Sequence, residues 1–163
     1  MEPAKTYYRS YADWMSSYPW EAVATLTFRY PKPSDYTAGP EVGEETEDRK
    51  VSEETAQRMF KEWCRENAKL EGVRIACQGV LNFKAGNPHI HILMLARSRK
   101  NGKTLLDLNL KRLENRWPAI AEVSVIRDME ATASYIFVRN TEGRHLFVDY
   151  GTNLLKEITR SKE

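Results

Sequence analysis

The sequence predicts an α+β fold: a ferredoxin-like βαββαβ antiparallel sheet, with helices on one face and a tyrosine-bearing helix near the open face. Three observations lead there. Apolar residues alternate with period two in Ala22 to Tyr30, Val73 to Lys84, His89 to Arg97 and Glu122 to Arg127. Helical periodicity falls between the first and second of these runs and between the third and fourth. The second and third are joined by Ala85-Gly86-Asn87-Pro88, a turn that folds the chain straight back.

The N-terminus carries Tyr7, Tyr11, Trp14 and Tyr18 at i, i+4, i+7 and i+11, the spacing of a helix with one aromatic face toward the body. Ala22 to Tyr30 is rich in β-branched and aromatic residues, and Pro31 and Pro33 end it. Residues 31–50 read as a mobile acidic loop rich in Pro, Gly and Glu. Ser52 is a suitable N-cap for the next helix, Glu53 and Glu54 favour its first turn, and Gly72 ends it. On the strand from Val73, odd positions are apolar, whereas even positions include Arg74, Gln78, Asn82 and Lys84. A second helix is expected from Leu105 to Trp117, stopped by Pro118, with Leu106, Leu110, Leu113 and Trp117 on one face. Val123 and Val125 should point inward from the fourth strand. A third helix is expected over residues 130–140, then an edge strand at 145–150 and a closing helix at 152–161.

A chain of 163 residues fits a single domain, 1–163, large enough to bury its own core. No apolar run approaches the roughly 18 residues of a membrane span, and the N-terminus lacks a signal-peptide stretch. Cys64 and Cys77 lie in apolar-patterned segments and read as two reduced, buried thiols, consistent with a cytoplasmic protein. Net charge is +2, yet residues 34–48 alone carry −6, leaving +8 on the remainder. A basic body of that kind is compatible with a nucleic-acid partner.

The chemistry centres on His89-Ile90-His91. On a strand, Ile90, Ile92 and Met94 take one face and the two imidazoles share the other, about 6–7 Å apart along the chain. Such a pair suits a divalent metal ion. A third ligand would come from the neighbouring strand, where Asn82 and Gln78 are the candidates; an amide oxygen suits Mg²⁺ or Mn²⁺. The second signal is Tyr135. At 100° per residue it lies about 160–200° from Ala133 and Phe137, off the packing stripe, with Arg139 one turn on. A tyrosine nucleophile beside a phosphate-holding arginine points to phosphoryl chemistry. Arg97, Arg99, Lys100 and Lys103, just past the histidine strand, are candidates for contacts to a nucleic-acid backbone.

Taken in order, these motifs resemble the HUH endonuclease superfamily, in particular the single-tyrosine rolling-circle replication initiators of plasmids and viruses. Thr25-Leu26-Thr27-Phe28 resembles the family's first motif, His89-Ile90-His91 its histidine motif, and Tyr135 its catalytic tyrosine. The sequence departs from the pattern in having Asn82 where an acidic ligand is common, and Val138-Arg139 where many members have a lysine. The resemblance implies a metal-dependent nickase and strand transferase acting on single-stranded DNA at an origin or hairpin. Mn²⁺ or Mg²⁺ would sit on His89, His91 and Asn82, with Tyr135 and Arg139 catalytic. Thr25, Thr27 and Gln78 would join the four basic residues on the DNA. The setting would be the cytoplasm of a bacterial or archaeal host, with host replication proteins as further partners.

Other histidine-strand chemistries fit less well. A histidine-triad hydrolase needs a histidine where Leu93 stands, and a two-histidine phosphoesterase needs a second motif, whereas His145 is followed by Leu146-Phe147. A small single-tyrosine transposase of the same superfamily shares both signals. A non-catalytic, RRM-like binding domain would use the same open sheet without a metal.

Overall fold

The computed structural model describes residues 3–31, 46–83 and 88–161. Residues 85–87 of the expected turn and most of the acidic loop therefore lie outside the described residues. Helix α1 (Pro3–Met15) precedes strand β1 (Ala22–Thr27), followed by the short strands β2 (Arg29–Pro31) and β3 (Thr46–Asp48). Helix α2 (Glu53–Glu71) leads into β4 (Arg74–Asn82) and β5 (His89–Arg97). Then come α3 (Leu110–Asn115), β6 (Ala121–Val125), α4 (Met129–Phe137), β7 (His145–Tyr150) and α5 (Thr152–Ser161).

Five strands form one antiparallel sheet in the order β6-β1-β5-β4-β7. Strands β2 and β3 pair separately, so the far end of the predicted acidic loop is a strand. A sheet with two apolar faces must cover both, and this one does. On one face Ala24, Leu26, Ile75, Cys77, Leu81, Ile90, Ile92 and Met94 pack against Phe60, Trp63 and Cys64 of α2 and Leu113 of α3. On the other, Ala76, Val80, Leu93 and Leu95 pack against Ala12 and Met15 of α1, Ile136 and Phe137 of α4, and Leu154 and Leu155 of α5. Helices thus lie on both faces rather than on one. On that face Thr25, Thr27, His89 and Gln78 remain partly exposed.

Helix α2 follows its local signals. The Ser52 side chain accepts from the Thr55 amide, and Gly72 closes the helix at φ 66°. The 105–117 segment does not form one helix. A 3₁₀ turn over Leu105–Asp107 ends before Asn109, whose side chain caps a fresh helix by accepting from the Arg112 amide. Leu106 is consequently exposed. Val125 is exposed as well, because β6 is an edge strand whose inward residue is Val123. In α1 the buried residues are Ala12 and Met15, so the packing stripe is rotated away from Tyr7 and Trp14, which remain more than half exposed. Cys64 and Cys77 are buried free thiols with sulfurs 3.8 Å apart, and burial pushes the Cys64 thiol well up. Among the described residues no helix is long and apolar enough to cross a membrane.

Candidate functional site

Strand pairing arranges the second face in rows. Thr27, His89, Asn82 and His145 form one row across β1, β5, β4 and β7. Glu122, Thr25, His91, Val80 and Phe147 form the next, and Ser124, Val23, Leu93, Gln78 and Asp149 the third. Residues paired across a sheet share a face, so both histidines, both threonines, Asn82 and Gln78 point the same way.

The two imidazoles lie edge to face with centroids 4.7 Å apart. His91 is 6% exposed, and its Nδ1 lies 3.2 Å from the Thr25 hydroxyl. Burial, reinforced by neighbouring His89, lowers the His91 pKa to about 4. At neutral pH this ring is therefore uncharged, the state in which imidazole binds a metal. Glycine at 79 lets β4 run against this segment of β5: a Cβ there would sit 2.0 Å from the His91 carbonyl oxygen.

Tyr135 comes from α4, far away in sequence, and its ring lies edge-on to His91 with centroids 5.3 Å apart. It is 48% exposed, while Ala133, Ile136 and Phe137 of the same helix are buried, as the periodicity requires. The helix stops at Phe137, and Arg139 opens a 3₁₀ turn (Arg139–Thr141) instead of continuing it. Arg139 is exposed there, so the expected one-turn helical spacing to Tyr135 is replaced by a turn.

That turn is fastened to the histidine rows. Asn82 Nδ2 donates to the Asn140 carbonyl at 2.7 Å and to the Glu142 carbonyl at 3.3 Å. Asn140 in turn donates through its own side chain to the Tyr135 carbonyl at 2.8 Å. Asn82 therefore faces His89 in register and also holds the end of the tyrosine helix. Both Asn82 and Asn140 are buried.

Four predicted contact residues lie elsewhere. Arg97 ends β5, whereas His89 begins it, a separation of roughly 27 Å. Arg97 is paired with buried Glu21 at 2.9 Å, and Glu21 also accepts from the Ala96 and Leu105 amides. Arg99, Lys100 and Lys103 line a different cavity with Lys69 and Arg74, at that far end. The structure does not bring these four residues to the histidines.

Several residues of the site escaped the sequence reading. His145 stands in the His89 row, with Nδ1 2.8 Å from the Gly143 carbonyl and Nε2 3.2 Å from the Tyr8 hydroxyl. Arg9 of α1 donates to Ser134, next to Tyr135. Glu122 is the carboxylate in the His91 row, two strands and roughly 10 Å of backbone away. Strand register places His145 and Glu122, and helix packing places Arg9; both depend on non-local contacts. Among the described residues no group of three His, Cys, Asp or Glu is placed to hold a metal. The donor set at hand is two imidazoles and neutral oxygens. It fits a divalent ion whose remaining ligands are water and substrate oxygens, and the imidazoles favour Mn²⁺ over Mg²⁺. No family model, curated protein or solved structure matches the chain.

Proposed function

We propose that the chain is a metal-dependent nickase and strand transferase for single-stranded DNA, of the type that initiates rolling-circle replication in the HUH endonuclease superfamily. The carrying observation is the contact between Tyr135 and His91, two residues that reach each other only through tertiary folding. The order β6-β1-β5-β4 along four of the five strands supports the ferredoxin-like reading.

His89 and His91 would hold the ion, with the Asn82 oxygen as the remaining protein donor. A bound divalent ion supplies Lewis-acid polarisation of a non-bridging oxygen on the scissile phosphate. Thr25 orients the His91 ring, and burial keeps it neutral. The Tyr135 hydroxyl attacks phosphorus in line. One phosphorus–oxygen bond forms to the tyrosine, and the bond to the 3′-oxygen of the preceding nucleotide breaks. The phenolic proton ends on that 3′-oxygen, leaving a free 3′-hydroxyl and a 5′-phosphotyrosyl ester. Ester replaces ester, so the strand can be rejoined by the reverse step. Exposed Arg139, in the 3₁₀ turn that follows the tyrosine helix, offsets charge on the phosphate.

Incubation with pooled single-stranded oligonucleotides and Mn²⁺, followed by a denaturing gel, tests the reading. A boiling-resistant adduct is expected from the wild-type chain, and none from Tyr135→Phe, from His89→Ala or in excess EDTA. An adduct persisting in the phenylalanine variant, or mapping by mass spectrometry to Tyr150, would overturn it. Tyr150 pairs with Cys77 on the opposite face of the sheet. A transposase of the same superfamily would share the adduct and differ only in the DNA it joins. The binding-only reading draws on the absence, among the described residues, of a third His, Cys, Asp or Glu beside the two histidines, and it predicts DNA binding with no adduct at all.

A further inference from the structure

We propose that a pocket between α1, α5 and β4 binds one unpaired nucleotide, stacking its base on Trp14 and reading it with Gln78. The inference rests on the single-stranded DNA reading above and assigns a second contact point, separate from the histidines and the tyrosine.

The cavity measures about 420 Å³, within the usual range for small-ligand sites. Its aromatic wall comes from the last turns of α1 and the segment just after it. Tyr11 and Trp14 meet edge to face at 5.4 Å, and Trp14 meets Tyr18 at 6.1 Å. Trp14 is nevertheless 55% exposed, an unusual position for the largest apolar side chain. A flat heteroaromatic ring laid on it would remove that surface from water, and every nucleobase offers such a face.

The polar groups specify orientation. The Gln78 side chain accepts a hydrogen bond from the Tyr11 hydroxyl at 3.2 Å, its one side-chain hydrogen bond among the described residues. Burial raises the Tyr11 pKa, so this phenol stays protonated and keeps donating. The Gln78 oxygen is thereby engaged on one lone pair, and both amide hydrogens remain for a ligand. Asp149 is paired with Gln78 in the sheet and brings negative charge to that side. Lys156 lines the pocket from α5. An uncharged base therefore belongs beside Gln78 and the phosphate beside Lys156. Donors set against the exocyclic group favour the carbonyl of thymine or guanine over the amino group of adenine or cytosine.

Gln78 lies one row from His91, on the same face, so a strand crossing the histidines reaches this pocket within a short span. A nucleotide held here would fix which phosphate stands before Tyr135.

Equilibrium binding of dT and dA oligomers, followed by fluorescence anisotropy with chelator present, tests the assignment without requiring cleavage. The wild-type chain should prefer dT. Trp14→Ala should weaken dT binding about tenfold, as loss of one base–aromatic stack does. Trp14 is exposed, so the fold should persist, and Trp14→Phe should restore most of the affinity. Gln78→Glu replaces donors by an acceptor and should shift the preference toward dA. Unchanged affinity in Trp14→Ala, or an unchanged preference in Gln78→Glu, would overturn the pocket even where the tyrosine adduct forms. Both shifts without any adduct would support the pocket and sink the nickase reading instead.

Discussion

The two faces of the sheet are built from the same three central strands, yet they behave as different materials. Toward α2, the side chains of β1, β4 and β5 are apolar from end to end, and Ile90, Ile92 and Met94 are fully buried. Toward α4, the same strands begin apolar at Leu93 and Leu95 and turn polar at Thr25, Thr27, Asn82, His89 and His91. The first face stabilises the domain by burial alone. The second keeps Val80 buried in the His91 row but otherwise gives up apolar contact on its central strands over the last two rows, where hydrogen bonds aim particular atoms. That difference teaches where chemistry can be placed on a small sheet: at the end of one face, with the opposite face holding the backbone rigid.

The comparison is broken most severely on the dry side. Ile92→Ala removes a fully buried side chain beside Gly79, and it should cost about 3 kcal/mol, read as a lowered urea midpoint. The pH dependence of that midpoint should be the same in this variant as in the wild-type chain, because no titrating group is touched.

On the polar side the largest effect should come from pH. The His91 pKa is near 4 in the folded chain against about 6.5 unfolded, so between those values the unfolded state binds more protons. Stability should be complete above about pH 6.5, fall as pH drops toward 4, and level off below. The full loss is about 3 kcal/mol. His91→Gln should flatten this window. A wild-type slope surviving in that variant would assign the effect to another group.

Asn82→Asp separates two roles. By charge alone, an aspartate beside His89 improves a metal site. The structure predicts a penalty instead, because the donor at 2.7 Å from the Asn140 carbonyl becomes a second acceptor. Loss of that buried bond should cost about 2 kcal/mol. Hydrogen exchange should quicken at residues 138–142 before it changes in β4. Tighter Mn²⁺ binding with unaltered exchange would show that the ligand role dominates.

How much of this was legible depended on the range of the interactions. The His89-Ile90-His91 alternation gave the correct face, and the Ser52 and Gly72 caps gave α2, since each is a local effect. Tyr135 was separable from its packing stripe by helical period, though not its meeting with His91. The Asn82–Asn140–Tyr135 chain joins three distant segments and left no pattern in the sequence. The basic run from Arg97 lies far from the histidines for a geometrical reason: proximity in sequence along an extended strand is distance in space. Leu106 misled because Asn109 restarts the helix, a capping signal hidden within an apolar period.

The finest test of the comparison is Thr25→Val, which keeps the shape of the side chain and removes its hydroxyl. Thr25 pairs with His91 across β1 and β5, and its oxygen lies 3.2 Å from Nδ1. When Nδ1 donates to that oxygen, the lone pair of Nε2 is left for a metal, so the contact accommodates the tautomer the proposed chemistry needs and fixes the ring's direction. Valine should cost about 1 kcal/mol of stability, because Nδ1 loses its partner in a buried position. It should also weaken Mn²⁺ binding roughly tenfold by calorimetric titration. Thr25→Ser keeps the oxygen and should restore the affinity, even where the lost methyl group keeps stability low. That split separates aiming from packing: on the dry face a methyl group matters through the volume it fills, and here the hydroxyl matters through the direction it gives a ring. Equal metal affinity in the valine and serine variants would make Thr25 a packing residue, and would leave His91 oriented by His89 and the Tyr135 ring alone.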